Sequence, residues 1–165
     1  MKLTKTNLAN IHLTTFIQAP VERVFDLSRH IDLQKKVVTR HQEEPVAGTR
    51  FGLIGKDETV TWKARHLFKT RLLRSRVTEM SRPFVFVDEQ SPGERPMVKH
   101  EHHFKACNNG TIMIDLIHFE TRFGLLGKIF NAFYLSSYVR EWIEQRNRAI
   151  KEYAETEKWK NLLAN

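Results

Sequence analysis

Between Thr59 and Glu120 the chain alternates apolar and polar residues in successive segments that are separated only by short turns. The segments cover residues 59–67, 71–80, 84–90, 97–106 and 111–120. A period of two residues is typical of strands, and the turn-forming groups at 91–94 and 108–110 fit the breaks between them. Because no helical segment separates these strands, they predict an antiparallel sheet rather than a parallel one.

Helical patterns flank this run of strands. Residues 11–18 predict a first strand, Pro20 begins a short helix that continues to Leu27, and a second short helix ends at Lys36, with Ser28 and Asp32 as candidate N-caps. From 125 to 158 the period is helical, and an apolar stripe at Val139, Ile143, Ile150 and Tyr153 must be buried. The patterns therefore predict an α+β fold in which a curved antiparallel sheet of six to seven strands wraps around a long C-terminal helix, with two short helices after the first strand.

Length and composition indicate one domain over residues 1–165, with 41% hydrophobic and 28% charged residues. Cys107 is the single cysteine, which excludes an intramolecular disulfide and fits a reducing compartment. The net charge of +8 is dispersed along the chain, so we expect no nucleic-acid partner. The sequence predicts neither a signal peptide nor a membrane span, and we expect a cytoplasmic protein without integral membrane association. It gives no indication of oligomeric state.

Five segments resemble the SRPBCC or START-like superfamily, which includes the birch-pollen allergen family and polyketide cyclase/dehydrase relatives. They are IQAPVERVFDL (17–27), GKDETVTWKARH (55–66), FVDEQ (86–90), HEHHF (100–104) and GTIMID (110–115). The resemblance extends over nearly the whole chain, and a bacterial group of uncharacterised ligand-binding proteins looks most similar. It implies a helix-grip fold with a hydrophobic cavity between sheet and helix that accepts lipids, polyketides or other flat apolar molecules.

Strand alternation predicts which side chains face this cavity. Lys63 and Arg65 belong on the solvent side, which turns Trp62 and His66 inward. For the strand with Asp88, alternation leaves the inward face open. The predicted ligand-binding residues are Trp62, His66, Phe86, Asp88, His100, His102, Phe104, Met113, Asp115, Phe130, Phe133 and Tyr134.

The histidines and aspartates in this set allow three interpretations. The first is a structural ladder of His–Asp hydrogen bonds that orients the polar end of a ligand. The second is acid–base catalysis, with His100 or His102 as the base and Asp115 as its orienting partner. The third is a zinc site in which His66 or Asp115 joins the His-x-His pair, but this spacing is common by chance and no cysteine supports it. We therefore predict no metal and no other cofactor.

The leading functional hypothesis is the binding of a small hydrophobic ligand in the internal cavity, since such pockets are mostly apolar with a few placed polar groups. The alternative is an enzyme of the cyclase or dehydratase type that uses a His/Asp pair of the pocket. Fold by itself does not decide between the two.

Overall fold

A computed structural model describes residues 7–37, 43–66, 69–91, 97–121 and 127–164. Its strands are β1 (Asn7–Ile17), β2 (Glu44–Gly48), β3 (Thr59–His66), β4 (Lys69–Ser81), β5 (Val85–Gln90), β6 (Met97–Cys107) and β7 (Gly110–Thr121). Its helices are α1 (Val21–Ser28), α2 (Ile31–Val37), α3 (Gly127–Glu155) and α4 (Lys160–Leu163), with a 3-10 turn at Glu157–Trp159 before α4.

The strands form one seven-stranded sheet in the order β1-β7-β6-β5-β4-β3-β2, and all neighbouring strands are antiparallel. Successive strands pair through short connections, and β7 returns to pair with the first strand along its whole length. The two-residue turn at Asn108–Asn109 joins Cys107 to Gly110, as the sequence predicts. The α+β helix-grip fold, with a long C-terminal helix and two short helices after β1, is confirmed.

Three local predictions need correction. β2 is absent from the predicted strands, because it is a short edge strand that contains Pro45 and Gly48 and buries little. Ser28 is not an N-cap, since it is the last residue of α1 and its hydroxyl donates to Val24 O at 2.8 Å. Asp32 is not the N-cap of α2 either, since the helix begins at Ile31 and Asp32 lies in its first turn, where its carboxylate accepts a hydrogen bond from Gly52 N at 2.8 Å.

Most of the buried apolar side chains fall into two separate clusters between the inner face of the sheet and the helices. We call the first the large cluster and the second the small cluster. The large cluster contains Ile17, Val24, Phe25, Leu27, Ile31, Val77, Phe86, Phe104, Met113 and Ile150 among its members. The small cluster contains Ile11, Ile117, Phe119 and Ile143, with Leu13, Val98, Val139 and Trp142 packed around it.

None of the helices in the described part of the chain is long and apolar enough to cross a membrane.

Candidate functional site

A layer of polar side chains separates the two apolar clusters. On β7, Asp115 lies between Met113 of the large cluster and Ile117 of the small cluster. The inward positions of β6 also turn from apolar to polar. Phe104 belongs to the large cluster, and the next two inward residues are the buried His102 and His100. Strand pairing places the polar residues of the two strands side by side, because Asp115 lies opposite His102. We call this set, with Asp88, Arg146 and Asn147, the polar layer.

The long helix contributes to the polar layer at one point of its apolar stripe. Ile143 belongs to the small cluster and Ile150 to the large one, and Arg146 and Asn147 lie between them. Both are buried, because residues three and four positions apart share one face of a helix. The helix therefore presents a guanidinium and an amide to the sheet at the level of Asp115.

Asp115 is the centre of the layer, and its side chain is 0% exposed. His100 Nε2, His102 Nδ1 and Arg146 Nη1 lie 2.8, 3.1 and 3.3 Å from its Oδ1. Asn147 Nδ2 donates to its Oδ2 at 2.7 Å. One buried carboxylate thus faces four nitrogen atoms from β6 and α3, which is the dense pairing that a charge needs away from water.

His102 joins Asp115 to a second carboxylate. Its Nδ1 faces Asp115, and its Nε2 lies 2.8 Å from Asp88 Oδ2. The imidazole also stacks on the ring of Phe86, with centroids 4.0 Å apart, and it contacts the His100 ring at an interplanar angle of 35°, with centroids 3.7 Å apart. The ring is thereby fixed in position and orientation, with one carboxylate on each side.

Asp88 is the part of the layer that water reaches. Its side chain is 33% exposed, whereas the His102 and Asp115 side chains are buried. The chain Asp88–His102–Asp115 therefore begins at an accessible carboxylate and ends at an inaccessible one.

Arg146 connects the layer to the short helices. Its Nη2 donates to the backbone carbonyl of Ser28 at 3.0 Å and lies 3.3 Å from His102 Nδ1. Ser28 ends α1, so its carbonyl is one of the terminal acceptors left free by the helix, and a cation is favourable at that end. Arg146 consequently holds α1, α3 and the inner face of the sheet in a single arrangement.

Burial and hydrogen bonding set the protonation states of this layer. Burial acts to raise the pKa of the Asp115 carboxyl, but the hydrogen bonds of His100 and His102 and the charge of Arg146 outweigh it and hold that pKa well below its usual range. Burial likewise acts to raise the pKa of Asp88, but the hydrogen bond to His102 and the charges of the neighbouring histidines and Arg146 together outweigh it and lower that pKa. Burial, with the neighbouring His102, lowers the pKa of His100 to about 4, so His100 is neutral at pH 7.

The structure brings most of the predicted site residues together. Phe86, His100, His102, Phe104, Met113 and Asp115 are buried on the inner face, and Trp62 packs at the edge of the large cluster. The orientation of Asp88, left open by the sequence, is inward. The side chains of His66, Phe130, Phe133 and Tyr134 lie outside the described residues. Whether any of these residues binds a ligand stays a prediction.

Sequence reasoning missed the two helix residues of the layer. The helical pattern does not indicate Arg146 and Asn147, because polar residues on a long helix usually face solvent. The signal that identifies them is positional: each lies three or four residues from both Ile143 and Ile150, inside the predicted apolar stripe. Asp115 provides a second indication, because a buried carboxylate needs a cation beside it.

Comparison with known proteins supports the fold and does not extend to a family at sequence level. No family model matches the chain, and no curated protein matches it. Solved structures do match, at low identity and over almost the whole chain. A protein of unknown function, SA2116 from Staphylococcus aureus, is 11% identical with a TM-score of 0.71, over 92% of this chain and 99% of that one.

Two further solved structures are similar to the chain. The Zhui aromatase/cyclase from Streptomyces sp. R1128 is 13% identical with a TM-score of 0.69, over 90% of this chain and 94% of that one. Ara h 8.0201 is 15% identical with a TM-score of 0.65, over 90% of this chain and 98% of that one. At these identities the likeness establishes the helix-grip fold.

Proposed function

We propose that this protein binds a small, flat hydrophobic molecule between the inner face of the sheet and α3, next to the polar layer. The observation that carries this proposal concerns two of the buried polar atoms that have no hydrogen-bond partner among the described residues, Gln90 Oε1 and Trp142 Nε1. Buried polar groups are almost always satisfied, so this acceptor and this donor support a site where a ligand completes them.

The position of these atoms supports the same proposal. Gln90 lies two residues beyond Asp88 on the inner face of β5, and Trp142 packs against the small cluster. The surrounding apolar residues Trp62, Leu73 and Val98 are only half-buried. Apolar walls with a few placed polar groups are the usual composition of a small-molecule site.

The expected ligand follows from these groups. Apolar rings would contact the walls, a hydrogen-bond donor would reach Gln90 Oε1, and an acceptor would reach the indole N–H of Trp142. The accessible carboxylate of Asp88 would orient a further polar group at the border of the polar layer. The resemblance of the fold to an aromatase/cyclase and to Ara h 8.0201 supports a ligand of polycyclic or lipid-like type.

Binding is tested with a defined apolar probe, N-phenyl-1-naphthylamine, by fluorescence titration of the purified and delipidated protein. The wild type is expected to bind one equivalent, and native mass spectrometry of undelipidated protein is expected to show a co-purified small molecule. Trp62→Ala should weaken probe binding. Phe84→Ala should leave it unchanged, because the Phe84 side chain is exposed in the turn between β4 and β5. Absence of probe binding, or equal behaviour of the two variants, would refute the proposal.

The Asp88–His102–Asp115 chain favours a second candidate function, an enzyme of the cyclase or dehydratase type. In this alternative Asp115 orients His102, and proton transfer to or from the substrate takes place through the accessible end at Asp88. His102→Gln should then abolish turnover of a poly-β-ketone substrate and leave probe affinity intact. Absence of turnover in the wild type, or a parallel loss of turnover and affinity, would favour simple binding.

A further inference from the structure

Three side chains of the polar layer place metal-ligating atoms close together. Asp88, His100 and His102 each offer one such atom, and these atoms lie within 4.8 Å of one another. The two histidines form a His-x-His pair on the inner face of β6, and Asp88 lies directly opposite His100 on β5. Among the described residues, the third candidate ligand is therefore supplied by the neighbouring strand β5.

Asp115 fixes the ring nitrogens that remain for a metal. It contacts His100 through Nε2 and His102 through Nδ1, at 2.8 and 3.1 Å. His100 Nδ1 and His102 Nε2 are thus the nitrogens left over, and the latter already faces Asp88 at 2.8 Å. A carboxylate that binds the far nitrogen of each ligating histidine is the usual support of protein metal sites.

Access and ligand type also fit a cation. The 33% exposure of the Asp88 side chain provides a route from solvent to an otherwise closed layer. Two imidazoles and one carboxylate suit zinc and similar transition metals rather than magnesium or calcium.

We propose that Asp88, His100 and His102 form a binding site for one divalent transition-metal ion of the zinc class. Ligand atoms around zinc lie about 3.4 Å apart. The ion would therefore replace the hydrogen bond between His102 Nε2 and Asp88 Oδ2, which are now 2.8 Å apart and must separate slightly, while the more distant ligand atoms, up to 4.8 Å apart, must approach. Three protein ligands leave a coordination position open, for water or for a polar group of a bound molecule. The site does not depend on the proposed apolar ligand.

The test is isothermal titration of the chelator-treated full chain with ZnCl2, and with CoCl2 followed by its visible absorption. One equivalent is expected to bind, with a four- or five-coordinate cobalt spectrum. Asp88→Asn should weaken binding by at least about tenfold, the smallest loss usual even for a supporting carboxylate. His103→Gln is the matched control, because His103 follows His102 on the outer face and forms a surface contact with Glu101 at 3.1 Å.

Each outcome decides the proposal. Unchanged affinity in Asp88→Asn, a loss caused by His103→Gln, or no binding at millimolar ZnCl2 would overturn it. His100→Gln provides a second variant, and unfolding curves recorded beside each titration show that the variant is folded. Probe binding by the metal-free protein is measured separately, so that failure of the metal site and failure of the apolar-ligand proposal give different results.

Discussion

Arg146 Nη1 lies 3.3 Å from Asp115 Oδ1, and this contact joins the middle of α3 to the inner face of β7 in a buried environment. The pair is completed by neighbours on both sides, which is the condition under which a buried ion pair is tolerated. The helix is consequently held to the sheet by a polar contact between two apolar clusters. That arrangement specifies the axial position of the helix, which apolar contacts alone define loosely.

Replacement of Arg146 by methionine should destabilise the protein by about 3–5 kcal/mol, because it leaves the Asp115 carboxylate buried without its cation. Urea unfolding at pH 7 measures the loss. Arg148→Met is the control, since the Arg148 side chain is 66% exposed on the same helix, and a change within about 0.5 kcal/mol is expected there. Equal effects of the two substitutions would show that the buried pair does not hold the helix.

Acid should destabilise the fold through His100. Its pKa is about 4 in the folded state against 6.5 for a free imidazole, so the unfolded chain binds more protons between these values. The stability is therefore complete above pH 6.5 and is lost as the pH falls toward 4, by up to about 3 kcal/mol. Between pH 7 and 4.5, the free energy of unfolding should fall more steeply with decreasing pH for the wild type than for His100→Gln. Parallel curves would contradict this assignment.

Phe86→Ala should cost about 3–5 kcal/mol, because Phe86 packs against Phe25, Phe104 and the His102 ring. Phe84→Ala, two residues earlier, should cost almost nothing, since Phe84 is 58% exposed. Thermal unfolding of both variants checks the difference. A large effect at Phe84 would indicate that this exposed ring is covered in solution.

Gly110→Ala should destabilise the hairpin between β6 and β7. A Cβ at Gly110 would lie 2.2 Å from the backbone oxygen of Ile17, and neither strand can move away without loss of pairing. We expect a cost of about 2 kcal/mol or more. Gly55→Ala is the matched control, because its nearest neighbour would be an ordinary contact at 3.5 Å. Thermal unfolding that ranks the two variants equally would be inconsistent with the close approach of β1.

The strands of the sheet are predictable from sequence wherever one face is polar. On β6 the alternation of Lys99 and Glu101 with His100 and His102 identifies the inward face correctly. On β5 it does not, because Phe86 and Val87 are both buried and point to opposite faces. The hydrogen bond between Asp88 and His102 shows which face of β5 points inward. This bond depends on the register between β5 and β6, which a local sequence pattern does not contain.

The helix contribution to the site was harder to predict for a different reason. Arg146 and Asn147 are polar residues whose burial is favourable only when Asp115 faces them across the interior. The contact joins residues 31 positions apart in the chain. Local periodicity identifies the apolar stripe of the helix but not a buried charge within it. The edge strand β2 is not predicted for another reason, because it has almost no buried face.

The binding proposal is tested most directly by a two-dimensional 1H–15N NMR titration with N-phenyl-1-naphthylamine. The account predicts saturable shifts at the indole N–H groups of Trp62 and Trp142 and at the amides of Gln90 and Val98, with little change at His103 on the outer face. Shifts confined to the outer face, or a spectrum unchanged by the probe, would contradict a ligand site between the sheet and α3.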